Sequence, residues 1–486
     1  QKFYLYMNLT KPEEFLHISY SKVSSDGKTL RPAYLVWDLK KLFPKLVVTE
    51  EEALLMTQRE LTPGEGLEFV IRGVRDRYLG VDESWKELYT WYRQNEGQKV
   101  DRILDAGFFK KKPDALTGEE AAELYGEKKQ FSVTRMERFS ACAYAHFLTY
   151  GLHLSDRERY EFEAMDLGNI AHQSMERFAR KAQEKRMPWP KLEEVQRDAM
   201  IEESVEESIK DYGNTVLYST ARNEYMIVRI KQLIRRSVWA LTRQMEKGDF
   251  EPSGYEMNFG SGKIDRVDTC EDEDVVYVKV TDYKTGMKSF DIVALYHGLQ
   301  MQLPVYLNAA LELEERRASG KTVEPAGIFY YRIKDPIVDR EKDDHALEEK
   351  ILKELRLDGM INAKEEVIEH LEHQLSGTSV LNPIGKNKDG SLNRYSKVLP
   401  PEAFAAMLSY TKKKEAQMKR QIYAGEVQAN PYELNGSTGC DYCAYRDICG
   451  FDPRLDGYAY RSLEKYSKEE VIRRMEEEIE NREEPS

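Results

Sequence analysis

The chain has 486 residues, 41% of them hydrophobic and 33% charged, with a formal net charge of −13. That length accommodates two or three domains, and the balance is that of a globular protein with sizeable cores, not of a fibrous or low-complexity one. No apolar run reaches the roughly 18 residues a membrane helix needs, and an acidic total excludes a nonspecific polyanion binder unless basic charge is segregated onto one face.

The opening, Gln1-Lys2-Phe3-Tyr4, is neither a signal peptide nor an initiation site, so the sequence reads as intracellular and as starting partway through a longer protein. Residues 1 to about 60 look like the end of something larger. Phe15–Tyr20 alternates like a strand, and Ser25-Asp26-Gly27-Lys28 follows it like a turn. Residues 61–128 are mixed and polar, with helical text over Trp85–Tyr92 and a break at Lys110-Lys111-Lys112-Pro113, and are expected to form a helical connector. From 129 to 250 the apolar spacing is helical, notably over Ala164–Gln183 and Glu224–Lys247.

Between Gly254 and Thr285 the pattern changes to alternation. Tyr255–Phe259, Lys263–Asp268 and Val275–Tyr283, separated by short polar or glycine breaks, predict an antiparallel meander. A helix over Ile292–Arg317 and a strand at Ala326–Tyr331 come next, so the centre is expected to be α/β, a small mixed sheet under helical cover. Helix returns around Glu402–Tyr423, followed by a cysteine-rich loop and a charged helical tail. Basic residues cluster at Arg229, Lys231, Arg235, Arg236 and Arg243, and at Lys412-Lys413-Lys414 with Lys419-Arg420; each run reads first as a solvated helix face.

Chemistry concentrates in the meander. Asp282 and Lys284, two apart in Asp282-Tyr283-Lys284-Thr285-Gly286, share a strand face. With Asp265 on the neighbouring strand, two carboxylates and an ammonium would converge, a set of oxygen donors suited to Mg2+ or Mn2+. Such a metal activates water and stabilises charge on a phosphate under attack, so the matching reaction is phosphodiester hydrolysis. A lone D-x-K is more simply a cross-strand ion pair. Two further patterns strengthen the metal reading: His172 sits one turn after Gly168, and Gln302 and Tyr306 stand one turn apart on the helix after the meander. Neutral imidazole joins carboxylates around such metals.

Four of the five cysteines form a split pattern, Cys142 alone and then Cys440, Cys443 and Cys449 as C-x2-C-x5-C, with Cys270 left over. An odd count clustered this way fits a metal-ligand set in a reducing compartment better than a disulfide framework. The spacing leaves Zn2+ and a [4Fe-4S] cluster both open. Either would staple a loop of about 300 residues, a structural role.

In order, Gly168-x3-His172, Gly262-Lys263-Ile264-Asp265-Arg266-Val267-Asp268, Asp282-Tyr283-Lys284-Thr285-Gly286 and Gln302-x3-Tyr306 resemble the motifs of the RecB-type branch of the PD-(D/E)xK nuclease superfamily. With one cysteine before that core and three after it, the sequence is similar to the AddB-type iron-sulfur nuclease family of bacterial helicase-nucleases. The resemblance implies a PD-(D/E)xK nuclease domain over 129–486, closed by a [4Fe-4S] cluster on Cys142, Cys440, Cys443 and Cys449. It implies His172, Asp265, Asp282 and the backbone carbonyl of Tyr283 as ligands of Mg2+ or Mn2+, Lys284 as the catalytic lysine, and Gln302 and Tyr306 as positioning groups for the phosphate or the attacking water. Glu256 is a weaker candidate, on a strand before Asp265 and able to face site or solvent.

Leu5–Leu16 is similar to the last motif of superfamily 1 helicases, with Thr10-Lys11-Pro12 where T-R-A is usual. The missing arginine implies that 1–60 is the end of an inactivated helicase-like domain. Gly27-Lys28-Thr29 and Gly320-Lys321-Thr322 lack the upstream glycine of a phosphate loop, so no ATP binding is expected. The implied activity is exonucleolytic cleavage of single-stranded DNA delivered by an AddA-type partner subunit during double-strand break processing for recombination, in the bacterial cytoplasm at the nucleoid. The alternative is a catalytically silent DNA-binding scaffold with a structural cluster.

Overall fold

The computed structural model describes residues 2–24, 28–50, 62–76, 83–110, 114–126, 131–155, 157, 162, 164–212, 220–260, 262–318, 320–341 and 343–480. Two compact units divide the chain, Gln1–Phe109 and Lys110–Ser486. The first carries helices α1 (Lys2–Leu9), α2 (Tyr34–Leu42), α3 (Pro63–Asp76), α4 (Trp85–Asn95) and α5 (Gly97–Gly107). A small core of Val70, Val74, Tyr92 and Val100 joins α3, α4 and α5, with Trp85 and Leu104 against it.

The strand predicted at Phe15–Tyr20 is not formed. Its side chains are exposed, and alternation alone does not make a strand when no neighbour takes up the backbone hydrogen bonds. The predicted turn at Ser25–Gly27 lies outside the described residues.

The second unit opens with α6 (Gly118–Tyr125), started by a capping box in which Thr117 and Glu120 satisfy each other's backbone N–H groups. Ala121 and Tyr125 of this helix are buried in one of the unit's two cores. Next come α7 (Val133–Ala141), α8 (Ala143–His146), α9 (Ala164–Glu184), α10 (Glu194–Asp211) and α11 (Ala221–Met245). The sheet begins with β1 (Glu251–Phe259), β2 (Gly262–Glu271) and β3 (Val275–Lys284). Two helices, α12 (Ile292–Tyr296) and α13 (Gln302–Glu315), lead to β4 (Thr322–Arg332). Then follow α14 (Asp344–Glu354), β5 (Asp358–Asn362), α15 (Glu365–Leu371), β6 (Val398–Leu399) and α16 (Pro401–Tyr423). The chain ends in β7 (Tyr432–Leu434), β8 (Ser437–Thr438), α17 (Arg446–Cys449), β9 (Arg461–Ser462) and α18 (Lys468–Glu480).

Six strands lie in the order β1-β2-β3-β4-β5-β6. The pairs β1-β2 and β2-β3 are antiparallel, as the meander predicts, whereas β3 and β4 are parallel. A parallel pair needs a crossover, and α12 with α13 supplies it. One face of the sheet packs against α9, α10 and α11 around Phe178, Ile201, Ile234 and Phe329. The other packs against α7, α13, α16 and α18 around Val278, Leu307, Phe404 and Met475. Val276 to Tyr283 of β3 are all buried, which explains a near-continuous apolar run in the sequence.

The helix predicted over Ile292–Arg317 is broken, with His297–Met301 outside it. Gly298 takes φ +79°, and a Cβ there would lie 2.3 Å from Met418 Cε and 2.6 Å from Ser140 Oγ. Only glycine combines that dihedral with that approach. Gly298→Ala is therefore expected to cost about 1–3 kcal/mol, read as a lowered melting temperature. The break has a functional consequence: it lets α13 begin at Gln302.

Candidate metal centre and cysteine cluster

The end of β3 gathers residues from both helical layers. Asp282 is almost fully buried, and its Oδ2 stands 2.5 Å from Lys284 Nζ, confirming that the two share a face. Gln302, at the start of α13, donates from Nε2 to Asp282 Oδ1 at 2.8 Å and to the Tyr306 hydroxyl at 2.9 Å. Tyr306 lies one turn on, so the pair acts as one fixed arm against the carboxylate.

From the other layer α9 brings His172, whose Nδ1 is 3.4 Å from Asp265 Oδ2. That same oxygen accepts the backbone N–H of Tyr283 at 2.7 Å, and the Tyr283 carbonyl hydrogen-bonds the His172 ring. Gly168 makes the approach of α9 tight, since a Cβ on it would be 3.1 Å from Thr285 Oγ1. The glycine-histidine and Asp-Tyr-Lys-Thr-Gly motifs thus meet directly.

Glu256 is also brought in: donor atoms of His172, Glu256 and Asp265 lie within 4.8 Å of one another. Its backbone is unusual, with φ +46° in the middle of β1. Across the ladder, between the pairs Tyr255–Arg266 and Met257–Ile264, stands Asp265. Ile264 and Val267, three apart, both face the α13 side core, so the two-residue alternation of β2 is interrupted around Asp265. Lys263 Nζ is 3.4 Å from Glu256 Oε2. Behind the site, Asp268 receives Arg266 Nε at 2.6 Å and has Lys279 Nζ at 3.3 Å, a buried charge cluster within the motif around Asp265.

The electrostatics of the cluster favour a shared cation. Burial, and then the charge of Asp282, push the Asp265 carboxyl well above the usual carboxylate range; burial raises Asp282 and Glu256 as well. Burial, with Lys284 nearby, lowers His172 to about 4, so its imidazole is neutral with a lone pair available near pH 7. Buried carboxylates that resist ionisation beside a neutral imidazole are a site that a divalent cation stabilises.

Sequence reasoning missed Glu137, on α7. Its Oε1 accepts the backbone N–H groups of Met301 at 2.8 Å and Gln302 at 3.1 Å, satisfying the start of α13, and Lys288 Nζ is 3.8 Å from its Oε2. A glutamate on an amphipathic helix carries no such signal. Glu137→Ala should leave the fold intact but unseat Gln302 from Asp282. Any hydrolysis carried out at this site is expected to fall about 10–100-fold, mainly in kcat, with Glu137→Gln retaining more activity.

The cysteines converge at the other end of α7. Cys142 is buried with Ala145, Leu148 and Tyr445, and Cys443 packs against them. Cys440 interacts electrostatically with Cys142, Cys443 and Cys449, so the four sulfurs form one group, and none of them is in a disulfide. Backbone hydrogen bonds from Ala145, Asn430 and Tyr144 favour the Cys142 thiolate, while burial, the larger effect, raises its pKa. Gly439 lets the loop approach α7, a Cβ there lying 2.7 Å from Ala141 O. Cys270 stands apart on β2, in the core of the opposite layer.

The basic runs are not a free polyanion surface. Lys231 pairs with Glu206, Arg235 with Glu202, Arg243 with Glu348 and Lys412 with Glu312. No helix among the described residues is long and apolar enough to cross a membrane.

A mixed sheet with paired carboxylates and a lysine at the end of a buried strand is the arrangement of the PD-(D/E)XK class, and residues 130–450 match the PD-(D/E)XK nuclease superfamily. The chain belongs to that superfamily. More particularly, it is similar over nearly its whole length to ATP-dependent helicase/deoxyribonuclease subunits of the AddB type. That of Lachnoclostridium phytofermentans is 37% identical over 490 residues, 97% of this chain and 42% of the relative. That of Alkaliphilus oremlandii is 32% identical over 511 residues, covering 99% and 44% respectively. The chain spans less than half the length of the curated relatives it matches.

Proposed function

We propose that this chain is the deoxyribonuclease portion of an AddB-type helicase/deoxyribonuclease subunit, hydrolysing single-stranded DNA that an AddA-type partner motor delivers. The observation that carries the reading is the convergence of Asp265, Asp282, Lys284 and neutral His172 at the end of β3. His172, Asp265, Asp282 and the Tyr283 carbonyl would hold Mg2+ or Mn2+, with Glu256 close enough to join or to bind a coordinated water. The bound metal would lower the pKa of a water and offset charge on the phosphate under attack. Gln302, braced by Tyr306, fixes the Asp282 carboxylate, and Lys284, beside that carboxylate, would orient the attacking water or offset the growing negative charge. The water oxygen bonds to phosphorus, one ester P–O bond breaks, and the departing oxygen takes up a proton.

The same reading assigns Cys142, Cys440, Cys443 and Cys449 to a [4Fe-4S] cluster, supported by their convergence outside any disulfide, with N–H donors directed at Cys142. It assigns residues 1–60 to the end of a motor domain that does not itself hydrolyse ATP, supported by the resemblance around Thr10-Lys11-Pro12.

Asp265→Asn tests the metal assignment without any DNA. The folded-state pKa of Asp265 lies above its unfolded value, so its ionisation opposes folding. Metal-free protein should lose stability as pH rises from the unfolded carboxylate pKa through the raised folded one. Asn keeps the Tyr283 hydrogen bond and carries no charge. The variant is expected to be about 1–2 kcal/mol more stable than the parent in EDTA at pH 7, and to lose the stabilisation that Mg2+ or Mn2+ gives the parent. Equal metal-induced melting shifts in both proteins would remove Asp265 from the ligand set.

A further inference from the structure

The leftover cysteine has company. Cys270, near the end of β2, is five residues from Asp265, about 16 Å along an extended strand, and so is distinct from the nuclease centre. Around it stand Asp249, from the joint between α11 and β1, and His370, from α15; one donor atom of each of the three lies within 4.8 Å of the other two. Asp249 Oδ2 meets His370 Nδ1 at 2.8 Å and His373 Nε2 at 2.7 Å. On the outer side, Asp272 Oδ2 is 3.8 Å from His370 Nε2.

The backbone beneath is fixed. Asp249 N–H donates to His370 O at 2.8 Å and His373 N–H to Lys247 O at 2.7 Å. Gly248 between them has no room for a side chain, since a Cβ would lie 2.4 Å from His370 O. The donors are therefore held by three elements whose positions are set before any ligand arrives. A thiol, two imidazoles and a carboxylate are the donors of tetrahedral Zn2+, whereas Mg2+ prefers an all-oxygen shell. Zinc at its ordinary bond lengths would need the two N···O pairs to open by about 0.5 Å, within side-chain rotation. Asp272 is placed to accept the second N–H of His370, the usual outer partner of a metal-bound imidazole.

We propose that Asp249, Cys270, His370 and His373 form a zinc site, separate from the nuclease centre, that clamps the α11–β1 joint and the end of β2 to α15. Binding displaces the Cys270 thiol proton to solvent. The site does not depend on the nuclease reading.

The test uses the full chain with its cysteine cluster intact and Asp282→Asn in the background, so that the nuclease centre does not contribute. After dialysis against excess Mg2+, this protein should retain one equivalent of Zn2+ by metal analysis. Substituted with Co2+, it should show tetrahedral visible bands and a thiolate-to-cobalt charge-transfer band above the cluster absorption. Cys270→Ser and His373→Gln, the second at a half-exposed position where folding is safe, should each weaken Zn2+ at least about tenfold, and the serine variant should lose the charge-transfer band. Melting in zinc-free buffer checks that both variants fold. Absence of retained zinc in the parent, or zinc held as tightly by either folded variant, would overturn the proposal and leave the cluster as a hydrogen-bonded Asp–His pair.

Discussion

Lys284→Ala is expected to reduce Mg2+-dependent cleavage of single-stranded DNA by about a thousandfold while leaving the fold in place. The lysine ends β3 and its stem covers little of the core, so the stability change should come from Asp282 left buried without its cation, about 1–3 kcal/mol, and the fold should persist. What disappears is the cation that stands 2.5 Å from Asp282. Without it, Asp282 loses the main influence that opposes its burial, and its carboxyl resists ionisation further. Lys288 also favours the Asp282 charge, but less than Lys284 does, and it is shared with Glu137, so it compensates only in part. Arginine at 284 should rescue poorly, since a planar guanidinium cannot occupy the place of a compact ammonium. Single-turnover kinetics and a thermal melt separate the two effects, and a variant that cleaves within tenfold of the parent would remove Lys284 from catalysis.

Cys443→Ser is expected to have the largest effect on stability. If the proposed cluster closes the loop from Cys142 to Cys440, it removes unfolded-state entropy worth on the order of 5 kcal/mol. The two ends are already tied by other contacts: Ala143 N–H to Asn430 Oδ1 at 3.0 Å, Tyr144 N–H to Gln428 O at 2.9 Å, and the Tyr445 hydroxyl to Leu154 O at 2.7 Å. The loss should therefore be partial, a melting temperature lower by roughly 10 °C, with the broad visible absorbance gone. The helices on the α9 side, which do not touch this cluster, should retain their hydrogen-exchange protection longest. A colourless parent protein in which Cys443→Ser releases one equivalent of zinc while Cys270→Ser leaves that equivalent bound would replace the iron-sulfur assignment.

Much of this was legible in the sequence because its signals are local. Two-residue alternation put Asp282 and Lys284 on one face, and helical spacing put Gln302 one turn from Tyr306; both relations are present. The meander followed from three alternating runs separated by short breaks. What stayed hidden depends on distant contacts. The strand expected at Phe15–Tyr20 had the alternation but no neighbouring strand among the described residues. The need for glycine at the break was not legible because the contacts that demand it at Gly298, from Met418 and Ser140, come from far away in the chain. Glu256 was ambiguous for a physical reason: its φ of +46° breaks the alternation on which any facing argument rests. Glu137 could be recognised only once α13 was seen to start above it. The short strands β5 and β6 pair at the sheet's far edge and carry too few residues for a periodic signal.

The central claim is that these residues form a metal-dependent nuclease centre, and cleavage of labelled single-stranded DNA by the full chain with its cysteine cluster intact tests it most directly. Three conditions are compared: Mg2+, EDTA, and Mg2+ with Asp282→Ala. The account predicts cleavage in the first alone. Cleavage that persists in EDTA or in the Asp282→Ala protein, or its absence with both Mg2+ and Mn2+ in a folded parent that binds DNA, would contradict it and favour a silent DNA-binding scaffold.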